Sequence, residues 1–255
     1  MNNDDAILRA RLKDLAQKSY KTGMYTYSTF LNPAELFVVE ELKKELEFID
    51  ISVYGGYEMA ERCMAGFGSA DMFGYEGVWP IKLILIEPLI DKFADSMNHR
   101  DFLGSVMNLG IDRSVLGDIL VKDGKRAYVF CVESIAKYIC DNLKRIKHTN
   151  VRCTVIDDYE GLDELKPVLE SADCIVASNR FDAIIAAVTR LSRNEVIRCF
   201  QAERVSLNGR INTRNSMALK PGDIFSVRGF GKYRFGGEDR ETRKGRIYIK
   251  LDKYT

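Results

Sequence analysis

Residues 180–209, RFDAIIAAVTRLSRNEVIRCFQAERVSLNG, decide the fold of the last third of the chain. The first part of this stretch repeats apolar residues at helical spacing, which predicts an amphipathic helix over 180–191. Ser192 precedes Glu195 by three residues, the pattern of a capping box, and predicts that a second helix occupies 193–201. Two short helices in succession therefore open this part of the chain.

Short strands follow the two helices. The stretch 205–207 is typical of a strand, and Asn208-Gly209 after it is a tight-turn pair. A second turn at 220–223, KPGD, precedes an apolar strand over 224–228. The pattern predicts a compact module of helices followed by strands, covering residues 178–255.

The formal net charge of +1 conceals an uneven distribution of charge along the chain. Residues 1–177 hold 21 Lys and Arg against 29 Asp and Glu, whereas residues 178–255 hold 17 against 8, so the two parts carry −8 and +9. A difference of this size suggests that the last third meets a polyanion. The alternative is that both parts carry ordinary solvated charge.

Residues 1–78 predict an N-terminal α/β domain. A helical repeat begins at Ile7, and Asn32-Pro33 has the composition of a helix start, with Asn as the N-cap. A strand is expected over 49–54. Residues 66–77 contain four glycines and are expected to form a loop.

Residues 79–165 predict a second small domain with the order βαββαβ. Strands are expected over 81–87, 116–121, 126–133 and 151–156, and a helix over 99–109. A second helix, capped by Ser134 and with Tyr138 facing inward, is expected between the last two strands. This order is the ferredoxin-like plan of RNA-recognition motifs. Tyr128 and Phe130 share one face of a strand, and they either pack within the protein or stack on bases. The fold class is thus α+β, with three small modules.

The last module resembles the S-four RNA-binding domain, which is named after a small-subunit ribosomal protein. The resemblance is carried by Arg180 and Asp182, Ser192 and Arg193, Val205 with Asn208 and Gly209, and Gly222 with Asp223. Glu203 departs from the pattern, since the family prefers Gly before the first strand. That departure puts an acidic residue near the RNA face that the resemblance implies.

A longer resemblance covers nearly the whole chain. The strings GGYEMAER (55–62), HRDFLGSVMNLGIDRSVLGDI (99–119), VRGFGKYRF (227–235) and TRKGRIYI (242–249) are similar to the YlmH-like proteins of Gram-positive bacteria. The resemblance implies RNA binding without chemistry on the large ribosomal subunit, in quality control of stalled peptidyl-tRNA. It also implies rRNA and tRNA as partners and a link to cell division.

The expected RNA contacts lie in the basic module, where Arg side chains can grip phosphates and glycines allow close approach of the backbone. The candidate residues are Arg180, Arg190, Ser192, Arg193, Arg198, Arg204, Asn208, Lys220, Arg228, Phe230, Lys232, Arg234, Arg243 and Lys244. Asp182 is expected to orient a neighbouring arginine. Phe230 is either a stacking ring or a plug in the core.

Signals of enzymatic function are weak. His99-Arg100-Asp101 has the letters of a kinase catalytic loop, but the required Asn five residues later is replaced by Val106. A helix N-terminus is the alternative interpretation. Six widely spaced cysteines and two histidines exclude the common zinc modules, so neither a metal nor a cofactor is expected.

The sequence therefore predicts a non-enzymatic RNA-binding protein that is cytoplasmic, monomeric and not associated with a membrane. An RNA-modifying enzyme of the pseudouridine synthase or methyltransferase type is one alternative. A cell-division adaptor that binds a protein partner through the N-terminal domains is another.

Overall fold

The computed structural model describes residues 3–57, 60–159, 162, 165, 169–242 and 245–254. The chain divides into two compact units, Met1–Lys166 and Pro167–Thr255. Over the described residues the fold is α+β with three sheets, as the sequence predicts.

The described elements of the first unit mix helices and strands throughout. In chain order they are α1 (Asn3–Thr22), β1 (Thr26–Tyr27), α2 (Pro33–Glu45), β2 (Ile51–Tyr54), β3 (Met64–Phe67), α3 (Ala70–Phe73), β4 (Ile81–Pro88), α4 (His99–Met107), β5 (Leu116–Lys122), β6 (Arg126–Val132), α5 (Glu133–Asn142), β7 (Arg145–Ile146) and β8 (Thr149–Ile156).

The N-terminal part packs α1 and α2 against a three-stranded sheet of order β1-β3-β2. Leu12, Leu42 and Phe67 join the two helices and the sheet in one buried cluster. Helix α2 begins as predicted, because Asn32 Oδ1 accepts the N–H groups of Ala34 and Glu35 at 2.8 and 3.0 Å. The Glu35 side chain in turn accepts the Asn32 N–H at 2.7 Å, which completes a capping box.

The prediction of a loop over 66–77 is wrong for residues 66–67 and 70–73. Gly66 lies inside β3, and Ala70–Phe73 forms the single-turn helix α3. A Cβ atom at Gly66 would lie 2.8 Å from the Trp79 ring, so glycine is needed there for close packing rather than for a turn. A strand that needs glycine for an aromatic neighbour cannot be distinguished from a glycine-rich loop by composition.

The central part confirms the predicted βαββαβ order. Its five-stranded sheet has the order β5-β6-β4-β8-β7, and every neighbouring pair is antiparallel. The four long strands thus have the ferredoxin-like arrangement, to which the short β7 adds a hairpin. Helices α4 and α5 cover one face of the sheet, where Phe102 and Ile139 are fully buried.

Two expectations about α5 are wrong. The helix begins at Glu133, so Ser134 lies inside it rather than at its N-cap. The Glu133 N–H donates to the carbonyl of Pro80 at 2.8 Å, and this backbone bond takes the place of a side-chain cap. Tyr138 is 48% exposed, and its hydroxyl donates to the carbonyl of Leu109 at 3.1 Å.

The second face of the central sheet is also buried. Phe130 is 0% exposed and stacks on Tyr57 with ring centroids 5.1 Å apart and an interplanar angle of 14°. Phe30 and Met64 from the N-terminal part join the same cluster. Of the two alternatives for Phe130, packing within the protein is therefore the one observed.

The strings 55–62 and 99–119 meet in space through polar contacts, most of them partly buried. Asp118 accepts the Tyr57 hydroxyl at 2.9 Å and the N–H groups of Glu61 and Arg62 at 2.7 and 3.1 Å. The Arg62 guanidinium donates to the carbonyls of Leu116, Phe30 and Arg113. These contacts tie the N-terminal sheet to the central sheet. Glu58 and Met59 of the first string lie outside the described residues.

The second unit combines two helices with one seven-stranded sheet over the described residues. Its described elements are β9 (Leu169–Ser171), β10 (Cys174–Val176), α6 (Phe181–Thr189), α7 (Arg193–Gln201), β11 (Val205–Leu207), β12 (Arg210–Ile211), β13 (Ile224–Val227), β14 (Gly231–Glu241) and β15 (Ile247–Tyr254). Within these residues the strand order is β10-β15-β14-β13-β11-β12, and β9 pairs with β15.

The core of this unit lies between the helices and the sheet. Phe181 meets Phe200 and Phe225 edge to face, with centroids 5.3 Å apart in both pairs. The Asn208-Gly209 turn is confirmed, since both residues have positive φ angles of 48° and 79° between β11 and β12. The predicted helices and strands of residues 180–228 are present with bounds that differ by at most a few residues.

Candidate nucleic-acid interface

The N-terminus of α6 carries an arginine held by a buried carboxylate. Arg180 is the N-cap residue, and its Nε and Nη2 atoms donate to the two carboxylate oxygens of Asp182 at 3.0 and 2.7 Å. The Asp182 side chain is 4% exposed, whereas that of Arg180 is 41% exposed. The expectation that Asp182 orients a neighbouring arginine is therefore confirmed.

The charge of Arg193 also acts on this pair. The hydrogen bond from Arg180 lowers the pKa of Asp182, and the charge of Arg193 lowers it further. Arg193 is the first residue of α7, so arginines at the N-termini of two helices influence the charge state of one buried carboxylate. Helix N-termini with adjacent arginines favour binding of phosphate groups.

Helix α7 presents further charge but uses its cap residue internally. The Ser192 hydroxyl donates to Glu195 at 2.7 Å and accepts the Glu195 N–H at 3.4 Å, so the predicted capping box is confirmed. Arg193 and Arg198 are exposed. Arg190, also exposed, ends α6 with a φ angle of 59°, a conformation in which glycine is normally favoured.

The end of α7 explains the departure at Glu203. The Arg204 N–H donates to the carbonyl of Cys199 at 2.9 Å and the Glu203 N–H to that of Phe200 at 3.1 Å, the two bonds of a Schellman motif. Glu203 has a φ angle of 53°, the left-handed conformation that this motif requires. The family preference for Gly thus has a conformational cause, and Glu203 adopts the same backbone conformation with strain.

Arg204 and Arg228 are joined by two hydrogen bonds, one from a side chain and one between backbones. Arg204 Nη2 donates to the carbonyl of Arg228 at 2.7 Å, and the Arg228 N–H donates to the carbonyl of Arg204 at 2.9 Å. The Arg228 side chain is exposed at the turn between β13 and β14. Phe230, in the same turn, is half-buried and packs against the core, which favours the core-plug alternative, and stacking on RNA stays a prediction.

Three other candidates take part in contacts within the protein. Asn208 Oδ1 accepts the Ile224 N–H at 2.8 Å. Arg234 donates to Asp252 from two nitrogens at 3.1 and 2.7 Å. The Lys232 ammonium lies 4.6 Å from the centroid of the Tyr254 ring. These side chains already have partners in the second unit.

Lys220, Arg243 and Lys244 are the remaining candidates. Lys220 is exposed at the turn before β13, where its N–H donates to Asp223 at 2.8 Å. Arg243 and Lys244 lie outside the described residues.

Arg214 is an exposed residue that the sequence analysis missed. It lies in the loop after β12, and the adjacent Asn215 accepts the N–H of Asp182 at 2.8 Å. This contact brings the loop to the N-terminus of α6, close to Arg180. The basic stretch RINTRN (210–215) was the available signal, but its position beside α6 depends on a long-range contact.

The features that could suggest an enzyme have structural roles in the first unit. Asp101 forms a capping box with Asn98 at the start of α4 and pairs with Lys147 at 2.7 Å, which confirms the helix N-terminus interpretation. Burial raises the pKa of Cys63, Cys131 and Cys153 to about 12, which disfavours the reactive thiolate. Among the described residues, no cluster of His, Cys, Asp and Glu could hold a metal ion, and no helix could cross a membrane.

Comparisons with known proteins agree with the resemblance found in the sequence. A family model described as "Putative RNA-binding domain in YlmH" matches residues 79–160. "Ribosome-associated protein quality control protein P2" of Bacillus subtilis (strain 168) is 24% identical over 241 residues, which cover 94% of this chain and 91% of the relative. The solved structure "Cell division protein ylmH from Streptococcus pneumoniae" matches with a TM-score of 0.51 at 22% identity, over 64% of this chain and 97% of that chain. The predicted resemblance is confirmed.

Proposed function

We propose that this chain, a relative of the YlmH proteins, is a non-enzymatic RNA-binding protein that associates with rRNA and tRNA on the large ribosomal subunit. Its role is in quality control of stalled peptidyl-tRNA. The name of the Bacillus subtilis relative supports the ribosomal context, and the matched family description supports RNA binding.

The observation that carries this proposal is the arginine surface at the N-termini of α6 and α7. Arg180 is paired with a buried carboxylate, and Arg190, Arg193 and Arg198 are exposed on the same two helices. We assign this surface to an S-four-type module formed by residues 178–255. Its acid content is low, with 8 acidic residues against 17 basic ones.

We propose that these arginines bind the phosphates of RNA and do not contact its bases. Asp182 occupies the Nε and Nη2 edge of Arg180, and the remaining guanidinium donors, with those of Arg193, are directed to phosphate oxygens. Each phosphate contact releases condensed counterions, so the affinity is largely electrostatic. Ser192, Asn208 and Arg234 shape the module through their internal contacts rather than by contacting RNA.

Co-sedimentation with large ribosomal subunits tests the proposal. We expect Arg190→Gln combined with Arg193→Gln to reduce the affinity for the subunits by about tenfold, since two phosphate contacts are lost. Arg152→Gln, which removes an exposed arginine of the first unit, is the matched control and should bind normally. Equal binding of both variants would rule out the α6–α7 surface as the RNA site.

A further inference from the structure

A pocket of about 400 Å³ lies in the N-terminal part of the first unit. It is open to solvent, and its walls come from β1, β2, the α3 region and the segment before β4. The lining residues are Tyr25, Tyr27, Ser52, Gly68, Ser69, Ala70, Asp71, Glu76, Gly77 and Trp79.

Three aromatic rings form the wall of this pocket. Tyr25 and Tyr27 are nearly parallel, with an interplanar angle of 8° and centroids 6.3 Å apart. The Trp79 ring lies 5.0 Å from that of Tyr27. The face of an aromatic ring is electronegative, so a wall of this kind attracts cations.

Two carboxylates add to the negative potential at the rim. Asp71 and Glu76 are exposed, and neither has an ion-pair partner among the salt bridges between described residues. Together with burial, their charges raise the pKa of Tyr25, which shows that both act on the same ring. No lysine or arginine is among the described residues that line the pocket.

Contacts within the wall of the pocket fix the position of its rings. The Tyr25 hydroxyl donates to the carbonyl of Tyr75 at 3.0 Å, which fixes the ring. A Cβ atom at Gly77 would lie 2.6 Å from the Tyr27 hydroxyl, so the chain can pass here only as glycine. A rigid wall lowers the entropy cost of binding.

We propose that this pocket binds the cationic side chain of an arginine or lysine in a basic segment of a partner protein. Aromatic faces and carboxylates complement a guanidinium or ammonium group, whereas the same carboxylates repel the phosphates of a nucleic acid. Residues 1–80 hold 8 basic and 13 acidic residues, so the surrounding surface also favours a basic partner. The sequence analysis offers a protein partner for the N-terminal domains, and the pocket specifies that this partner is basic. The proposal is independent of the proposed RNA surface.

Trp79 allows a direct test, because it is the single tryptophan of the chain. The full-length protein is titrated with acetyl-Gly-Arg-Gly-amide at low salt while the tryptophan fluorescence is recorded. The uncharged citrulline peptide serves as the ligand control. We expect a saturable change with the arginine peptide and none with the citrulline peptide.

Variants separate the pocket from general electrostatics. Asp71→Asn combined with Glu76→Gln should weaken binding about fivefold, in line with the loss of two exposed charge pairs. Glu47→Gln, which removes an exposed carboxylate outside the pocket, should bind as the wild type does. The proposal is overturned if the citrulline and arginine peptides change the fluorescence equally, or if the double variant binds the arginine peptide as well as Glu47→Gln does. It is also overturned if a short RNA displaces the peptide from the wild type and from the double variant to the same extent. Unchanged ribosome binding by the double variant distinguishes this result from failure of the proposed function.

Discussion

Asp182 is a negative charge at the centre of a cationic surface, so its two effects on RNA binding oppose each other. Its charge repels phosphate, but its two hydrogen bonds hold the Arg180 guanidinium in one orientation. Removing a free acidic residue from an RNA site raises affinity, whereas removing an orienting partner lowers it.

We expect Asp182→Asn to reduce RNA affinity, because loss of the orientation of Arg180 outweighs the loss of repulsion. The measurement is the dissociation constant for ribosomal RNA at fixed salt, with Glu195→Gln as a control that removes a nearby carboxylate bonded to Ser192 instead. A gain in affinity would mean that Asp182 acts as a repulsive charge only.

The stability effect of the same variant depends on pH in a defined direction. The pKa of Asp182 is lowered in the folded protein, so the carboxylate stabilises the fold above its unfolded pKa of about 3.9, and this contribution is lost as the pH falls through the lower folded value. The melting temperatures of wild type and Asp182→Asn should therefore differ at neutral pH and converge in acid.

Glu203 provides a second prediction at the scale of one residue. It occupies the left-handed position of a Schellman motif with a φ angle of 53° and an exposed side chain. Glu203→Gly should raise the free energy of unfolding by about 0.5–1 kcal/mol, because glycine adopts this conformation without steric cost. Urea unfolding measures the change, and Glu203→Ala, which keeps the strain, is the control.

Local patterns were sufficient wherever the contact is short in sequence. The N-cap at Asn32, the capping box at Ser192, the turn at Asn208 and the pairing of Asp182 with an arginine are all set by residues within a few positions. Gly66 and Ser134 were misread because distant partners, the Trp79 ring and the Pro80 carbonyl, decide their roles.

At the scale of elements, both faces of the central sheet are covered by other parts of the first unit. RNA-recognition motifs use aromatic side chains on the open face of their sheet. Here Phe130 is stacked on Tyr57 and surrounded by Phe30, Met64 and Leu83, so that face holds the N-terminal part in place. The topology was predictable from the strand order, but the covering of the face was not, because it depends on residues far away in sequence.

Strands β9 and β10 lie outside the predicted basic module of 178–255, yet they belong to its sheet. Cys174, Ile175 and Val176 pair with Ile249, Tyr248 and Ile247 of β15, and β9 pairs with the end of the same strand. Short strands flanked by polar residues give little signal in sequence, which explains why they were missed.

A comparison of two fragments tests the importance of these strands. We expect residues 167–255 to melt cooperatively, and residues 178–255 to melt at a lower temperature because β15 loses two partners and Val176 leaves the core. Circular dichroism during heating measures both transitions. Identical melting curves would show that the sheet does not depend on β9 and β10.

At the scale of the whole molecule, binding to RNA should follow the division of charge, in which 178–255 carries +9 and 1–177 carries −8. If about five arginines of the second unit contact phosphates, the affinity for RNA should fall roughly 100- to 500-fold between about 50 and 200 mM salt. The plot of log affinity against log salt then has a slope of about −3.5 to −4.5.

Arg193→Gln should make this slope less steep by about 0.7–0.9, because one phosphate contact is lost. Arg152→Gln in the first unit should leave it unchanged. A flat salt response for the wild type would mean that contacts between these arginines and phosphates do not drive RNA binding.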